Sequence, residues 1–196
     1  MKRKTFDALL ASGGVAVAVV LLVAGGLLTW GHSFVSHQVR TQLSAQKIFF
    51  PPKGNVALAP AAIGPYLNKY AGQQMLTGQQ AEAYANHFIA VHLQAIGGGK
   101  TYAQLSQASM AAPKNAALAA QVATVFKGET LRGLLLNAYA FGKIATLAGI
   151  GAIVAFAGAA LMLLLSGLGL LHLRRTPSDA EVLPSLAGSP ALVGTH

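Results

Sequence analysis

The run IATLAGIGAIVAFAGAALMLLLSGLGLLHL, residues 144–173, decides how the rest of the chain is read. It places 30 uncharged residues between Lys143 and Arg174. A helix of that length rises ~45 Å, more than the ~30 Å hydrocarbon core of a bilayer, so the run is expected to span a membrane. Gly149, Gly151, Gly158, Gly167 and Gly169 recur along it. Glycine weakens a helix in water, but in lipid it lets a second helix come close. The small-residue spacings Gly151, Ala155, Ala159 here, and Gly14 with Ala18 nearer the start, are therefore the candidate sites of helix packing in the membrane.

Working outward, Leu131, Leu134, Leu135, Ala138 and Phe141 form an apolar stripe that leads from Glu129 into the run, so one helix is expected over residues 129–173. A matching apolar run occupies residues 8–30, behind Lys2, Arg3 and Lys4 and ending on Trp30. Its 23 residues exceed the roughly 7–15 of a signal-peptide core, and no small-residue cleavage site follows, so it reads as an uncleaved anchor. Val35, Val39 and Leu43 continue a helical stripe past Trp30, until Pro51 and Pro52 end it. Basic residues sit at the outer ends of both runs, which places both termini in the cytoplasm of a two-pass cell-membrane protein.

Composition agrees with a membrane class: 54% of residues are hydrophobic and 10% charged, against roughly 25% charged in soluble domains. The net charge of +9 is concentrated in residues 31–143, which hold nine Lys or Arg against Glu82 and Glu129. Those cations are scattered singly, as on a solvated surface or one facing anionic headgroups, and no stacking-aromatic motif points to nucleic acid. With no cysteine, disulfides, thiolate metal sites and a cysteine nucleophile are excluded together.

The expected architecture is an all-α membrane protein with five parts: a cytoplasmic N-terminus (1–7), a first transmembrane helix (8–30), an extracytoplasmic helical domain (31–143), a second transmembrane helix (144–173) and a cytoplasmic tail rich in Pro, Ser and Gly (174–196). The two spans are expected to project into the aqueous side as a helical hairpin that supports the small outer domain. Within that domain the pattern gives an irregular connection over 53–78 with a short helix near residues 66–71. It then gives an amphipathic helix over 79–95, a glycine reversal, a helix capped by Thr101 that runs to Ala111, and an alanine-rich helix over 114–126. No strand pattern occurs. Because the segment's apolar residues are mostly alanine, its core is expected to lean on the two projecting helices or on another subunit.

Candidate chemistry is sparse. His87 and His92 lie five apart on one expected helix, as do His32 and His37 on another; at α-helical geometry that turns each pair ~140° apart, wrong for a shared metal. GGGKT at residues 97–101 lacks the earlier glycine of a phosphate loop, where Gln94 stands, and follows a helix instead of a strand. With two glutamates as the segment's carboxylates, paired acid–base work and a Ser–His–Asp arrangement have no acid to draw on. No catalytic residue, metal ligand or cofactor is expected.

AYANHFIAVHLQAIGGGKTYA, residues 83–103, resembles a run found between the two spans of a group of small actinobacterial membrane proteins, and the likeness extends over residues 79–173. Members often carry the label aromatic ring-opening dioxygenase, although this run offers no metal centre for that reaction. The resemblance implies a two-span envelope protein without an assigned activity. It also implies that Tyr84, His92, Gly98, Gly99, Lys100, Thr101 and Tyr102 form a structural corner, with Tyr102 beside Tyr84. The function expected from all of this is a non-catalytic accessory subunit that meets other membrane protein subunits and the lipid bilayer but not nucleic acid. The alternative is an outer domain that senses a ligand or contacts lipid around His92 and Tyr102.

Overall fold

Long apolar runs without strand-forming alternation leave helix as the one way to satisfy every backbone group, and the described residues are helical almost throughout. The computed structural model describes residues 3–175, so the tail expected at 174–196 lies, apart from Arg174 and Arg175, outside the described residues. The elements are α1 (Arg3–Ala45), a 3-10 turn (Val56–Leu58), α2 (Gly64–Leu67), a second 3-10 turn (Asn68–Tyr70), α3 (Gly78–Tyr84), a π-helix (Ala85–Ile89), α4 (Ala90–Ile96), α5 (Tyr102–Ala111) and α6 (Ala116–Arg175). Among the described residues, β-structure amounts to one isolated bridge between Phe49 and Gln74. Two helices, α1 with 43 residues and α6 with 60, are long and apolar enough to cross a membrane. The chain divides into two compact units, one built from the described residues up to Thr29 together with those from Ile150, the other Trp30–Gly149.

In the first unit the small residues form the seam between the two helices. Ala11, Ala18, Ala152, Ala155 and Ala159 are buried, while Val20, Val23, Leu27, Ile153, Val154, Leu164 and Leu168 are exposed. A Cβ on Gly25 would come within 2.9 Å of the Phe156 ring, one on Gly151 within 3.2 Å of Leu28, and one on Gly158 within 3.2 Å of Leu21. Gly14 abuts the Ser166 hydroxyl, and Gly169 faces Ala11 at 3.6 Å. These pairs run in opposite order along the two segments, which is an antiparallel packing with contact at the small residues. All five candidate packing positions, Gly14, Ala18, Gly151, Ala155 and Ala159, thus lie along the contact between α1 and α6 within this chain.

The second unit has a core, and both long helices contribute to it. Val39 and Leu43 from α1 and Leu135 from α6 are buried with Phe50, Leu58, Ile63, Leu67, Met75, Ile89 and Leu93 from the elements between. Each such side chain contributes roughly 1.5–3 kcal/mol on full burial. His32 Nδ1 donates to the Ala145 carbonyl at 2.7 Å, and Gly149 gives its ring room. A carbonyl can only accept, so Nδ1 must carry the proton. After Ala45 the chain turns at Lys47, which adopts φ +52°. It then runs beside residues 72–75, with Phe50 N bonded to Gln73 O at 2.9 Å and Met75 N to Ile48 O at 2.9 Å. Gln74 Nε2 reaches back to the Ser44 carbonyl at 2.9 Å, which also accepts from Lys47 N at 3.2 Å, so this carbonyl at the end of α1 is satisfied twice.

Three boundaries differ from the sequence reading; the first is the end of α1, which stops at Ala45, ahead of Pro51 and Pro52. Residues 53–78 hold more helix than expected, with two 3-10 turns around α2: Asn55 Oδ1 caps the first by accepting from Ala57 N at 2.9 Å, and Pro65 sits in the first turn of α2, where its missing N–H costs nothing. The helices expected separately over 114–126 and from Glu129 are one element, α6, capped at its start by Asn115 Oδ1 accepting from Leu118 N at 3.0 Å. Gly128 does not break it, because the glycine is there to admit Leu93: a Cβ at that position would clash with the leucine's methyl groups.

Candidate functional site

The expected corner divides into two clusters. The π-helix over residues 85–89 makes the first, inserting one wider turn between α3 and α4, closed by Ala90 N–H to Ala85 O. Turns of this kind often sit at functional sites because they re-aim the side chains on them. Here the turn sends His87 onto the Tyr66 ring, 3.4 Å away and parallel within 3°. It sends Tyr84 and Phe88 the other way, stacked at 4.7 Å, with Phe50 meeting Tyr84 edge-on at 5.5 Å. His92 ends this aromatic row, 4.5 Å from Phe88, and its Nδ1 donates to the Phe88 carbonyl at 2.7 Å. The two histidines are engaged on different neighbours, and among the described residues His, Asp and Glu nowhere gather in threes. Burial raises the Tyr84 hydroxyl above its ordinary pKa, because the phenolate would lose hydration.

The second cluster is the glycine turn with α5. Gly98 and Gly99 take φ of +58° and +76°, conformations that side-chained residues resist. The turn's N–H groups are consumed locally: Gly98 by Ala95 O at 3.2 Å, Gly99 by Gln94 O at 2.9 Å, and Lys100 by Gly97 O at 3.1 Å. A phosphate cradle needs those donors unspent, so this turn is a helix reversal. Thr101 caps α5 in a reciprocal box, its hydroxyl accepting from Gln104 N and the Gln104 side chain from Thr101 N. Tyr102 does not sit beside Tyr84; it packs on Phe126 at 5.5 Å. The reason is the cap itself, which starts α5 at Tyr102 and turns that first residue toward α6.

Two features escaped the sequence reading. Glu82, Asn86, Arg132 and Glu129 form a polar chain: Asn86 Nδ2 donates to Glu82 Oε1 at 2.9 Å, and Arg132 donates to Asn86 Oδ1 at 3.2 Å and to Glu129 Oε2 at 3.3 Å. It ties the π-helix to α6 and occupies both glutamates of the 31–143 segment. The only sequence hint was the i, i+3 spacing of Glu129 and Arg132 and the i, i+4 spacing of Glu82 and Asn86. The other feature is a cleft of about 360 Å³ bounded by α1, α3 and α6, with Arg40 and Lys143 both on its lining. Its floor is a backbone crossing, where a Cβ on Gly78 would lie 2.9 Å from Ala138 O and 3.0 Å from Tyr139 Cα. Nothing in the spacing of Arg40 and Lys143 along the chain could have shown that they share a cavity. No protein-family model, curated protein or solved structure matches the chain.

Proposed function

We propose that the chain is a non-catalytic accessory subunit of a larger membrane assembly. In this reading its two spans cross the bilayer with both termini cytoplasmic, and they continue outward as a helical pair carrying a small outer domain over residues 31–143. The membrane part rests on exposure: 17% of the most apolar window in each long helix is buried, whereas the core helix of a soluble protein would be mostly buried. The orientation rests on Lys2, Arg3 and Lys4 at one end and Arg174 with Arg175 at the other.

The observation that carries the partner is the arm formed by α5 and the start of α6. Over residues 102–126 it buries Leu105 and Val125, while Met110 is 72% and Phe126 54% exposed. A helix as short as α5, 10 residues, is marginal on its own in water, so a second surface laid over Met110 and Phe126 supplies what the arm lacks. The test is isolation of the tagged full-length protein from native membranes in mild detergent. A companion polypeptide in fixed ratio, lost in Met110→Glu/Phe126→Glu chains whose helical content is unchanged, is the expected result. A monodisperse monomer with no companion overturns the reading.

A further inference from the structure

The cleft holding Arg40 and Lys143 lies wholly within the Trp30–Gly149 unit and away from the arm. No Asp or Glu is on its lining, and the unit's two carboxylates are engaged elsewhere, Glu129 by Arg132 and Glu82 by Asn86. Within this unit Glu129 is paired with Arg132 at 3.3 Å, and no carboxylate lines the cleft, so Arg40 and Lys143 share a cavity with no protein counter-charge. Neutral polar residues join them: Ser36, Gln79 and Tyr139 line the same space, while the Thr146 hydroxyl there is spent on the Gly142 carbonyl at 2.9 Å. Lys143 also stands 5.7 Å over the Tyr139 ring, which holds the ammonium at the rim.

We propose that this cleft binds a phosphoryl group, presented by an anionic lipid headgroup or by free phosphate. A guanidinium fork and an ammonium on one lining, with Ser36, Gln79 and Tyr139 beside them and no carboxylate, match a group with several charged oxygens better than they match a neutral ligand. The surroundings favour a lipid source. Lys143 is the last charge before the uncharged run, and Trp30 stacks on Phe34 at 5.6 Å in the same unit. Phe34 is 51%, Phe141 55% and Ile144 54% exposed, an aromatic and apolar girdle of the kind found at headgroup depth. Basic pockets between helices at that depth bind phosphate-bearing headgroups.

The test uses the full-length protein in a neutral mild detergent, with native mass spectrometry to count what is retained. The probes are phosphatidylglycerol, a diacylglycerol lacking phosphate, and inorganic phosphate. Retention of phosphatidylglycerol but not of diacylglycerol is expected, and on the order of a tenfold loss of affinity in the Arg40→Gln/Lys143→Gln chain. A Lys53→Gln/Lys114→Gln chain removes the same charge elsewhere and is expected to bind as the unaltered protein does. Displacement of the lipid by inorganic phosphate, absent from the Arg40→Gln/Lys143→Gln chain, would assign the site to the free anion and also support it. Equal lipid retention with and without Arg40 and Lys143, or equal loss in both doubly substituted chains, overturns the proposal. Far-UV circular dichroism establishes that each chain is folded; if the double variant is not, the single Arg40→Gln chain carries the comparison.

Discussion

Gly78 sits where α3 starts against α6, and replacing it with alanine puts a methyl group where the structure has backbone. The added Cβ would stand 2.9 Å from the Ala138 carbonyl oxygen, 3.0 Å from Tyr139 Cα and 3.3 Å from the Tyr139 carbonyl oxygen. None of these atoms can rotate aside as a side-chain end can, so α3 or α6 must move and the neighbouring packing of Met75 and Ala81 must loosen. Overpacking of this kind costs about 1–3 kcal/mol. Gly133 supplies the opposite case on the same helix: a Cβ there meets nothing within 4 Å, and alanine in an exposed helix interior gains about 0.5–1 kcal/mol over glycine. Two identical chemical changes are thus expected to shift stability in opposite directions. The assay is reversible denaturation of the full-length protein in detergent micelles, followed by far-UV circular dichroism. A Gly78→Ala chain as stable as the unaltered protein, or a Gly133→Ala chain less stable than it, would refute the geometry on which the argument rests.

Two further outcomes follow from particular contacts. Burial holds the Tyr84 phenol protonated to higher pH in the folded state than in the unfolded one, so its contribution to stability is intact below about pH 10 and falls away above it, through the raised folded value. Tyr84→Phe is therefore expected to flatten the alkaline loss of stability relative to the unaltered chain, and parallel curves between pH 9 and 12 would refute this. Ala159 is fully buried in the seam, whereas Val20 is 66% exposed. Ala159→Leu is expected to destabilise the α1–α6 packing by about 1–3 kcal/mol and Val20→Leu to leave it unchanged, read as thermal denaturation in micelles.

The parts of the structure that were legible beforehand are those fixed by local pattern. The uncharged runs, the stripe Val35, Val39 and Leu43 meeting Leu135, and the Thr101 cap each depend on a few residues close in sequence. What escaped depends on contacts that no local pattern encodes. Gly128 looks like a stop but serves Leu93, a residue on another helix. The π turn over residues 85–89 has no signature that separates it from ordinary helix, and it decides where Tyr84, His87 and His92 point. Tyr102 is likewise assigned to Phe126 by the direction in which α5 leaves its cap. The Arg40 and Lys143 cleft exists because Gly78 lets α3 lie on the α6 backbone, a fact visible only once the chain is folded.

The central claim, a chain that crosses the bilayer twice with residues 31–143 outside, is tested most directly by labelling single cysteines, for which the cysteine-free sequence supplies a clean background. Intact cells are exposed to a membrane-impermeant maleimide, then lysed and exposed again. The account predicts that the Gln107→Cys chain is modified in intact cells, while the Thr5→Cys and Ser185→Cys chains are modified only after lysis. Labelling at the two termini of intact cells with Gln107→Cys protected, or labelling of all three alike, would contradict it.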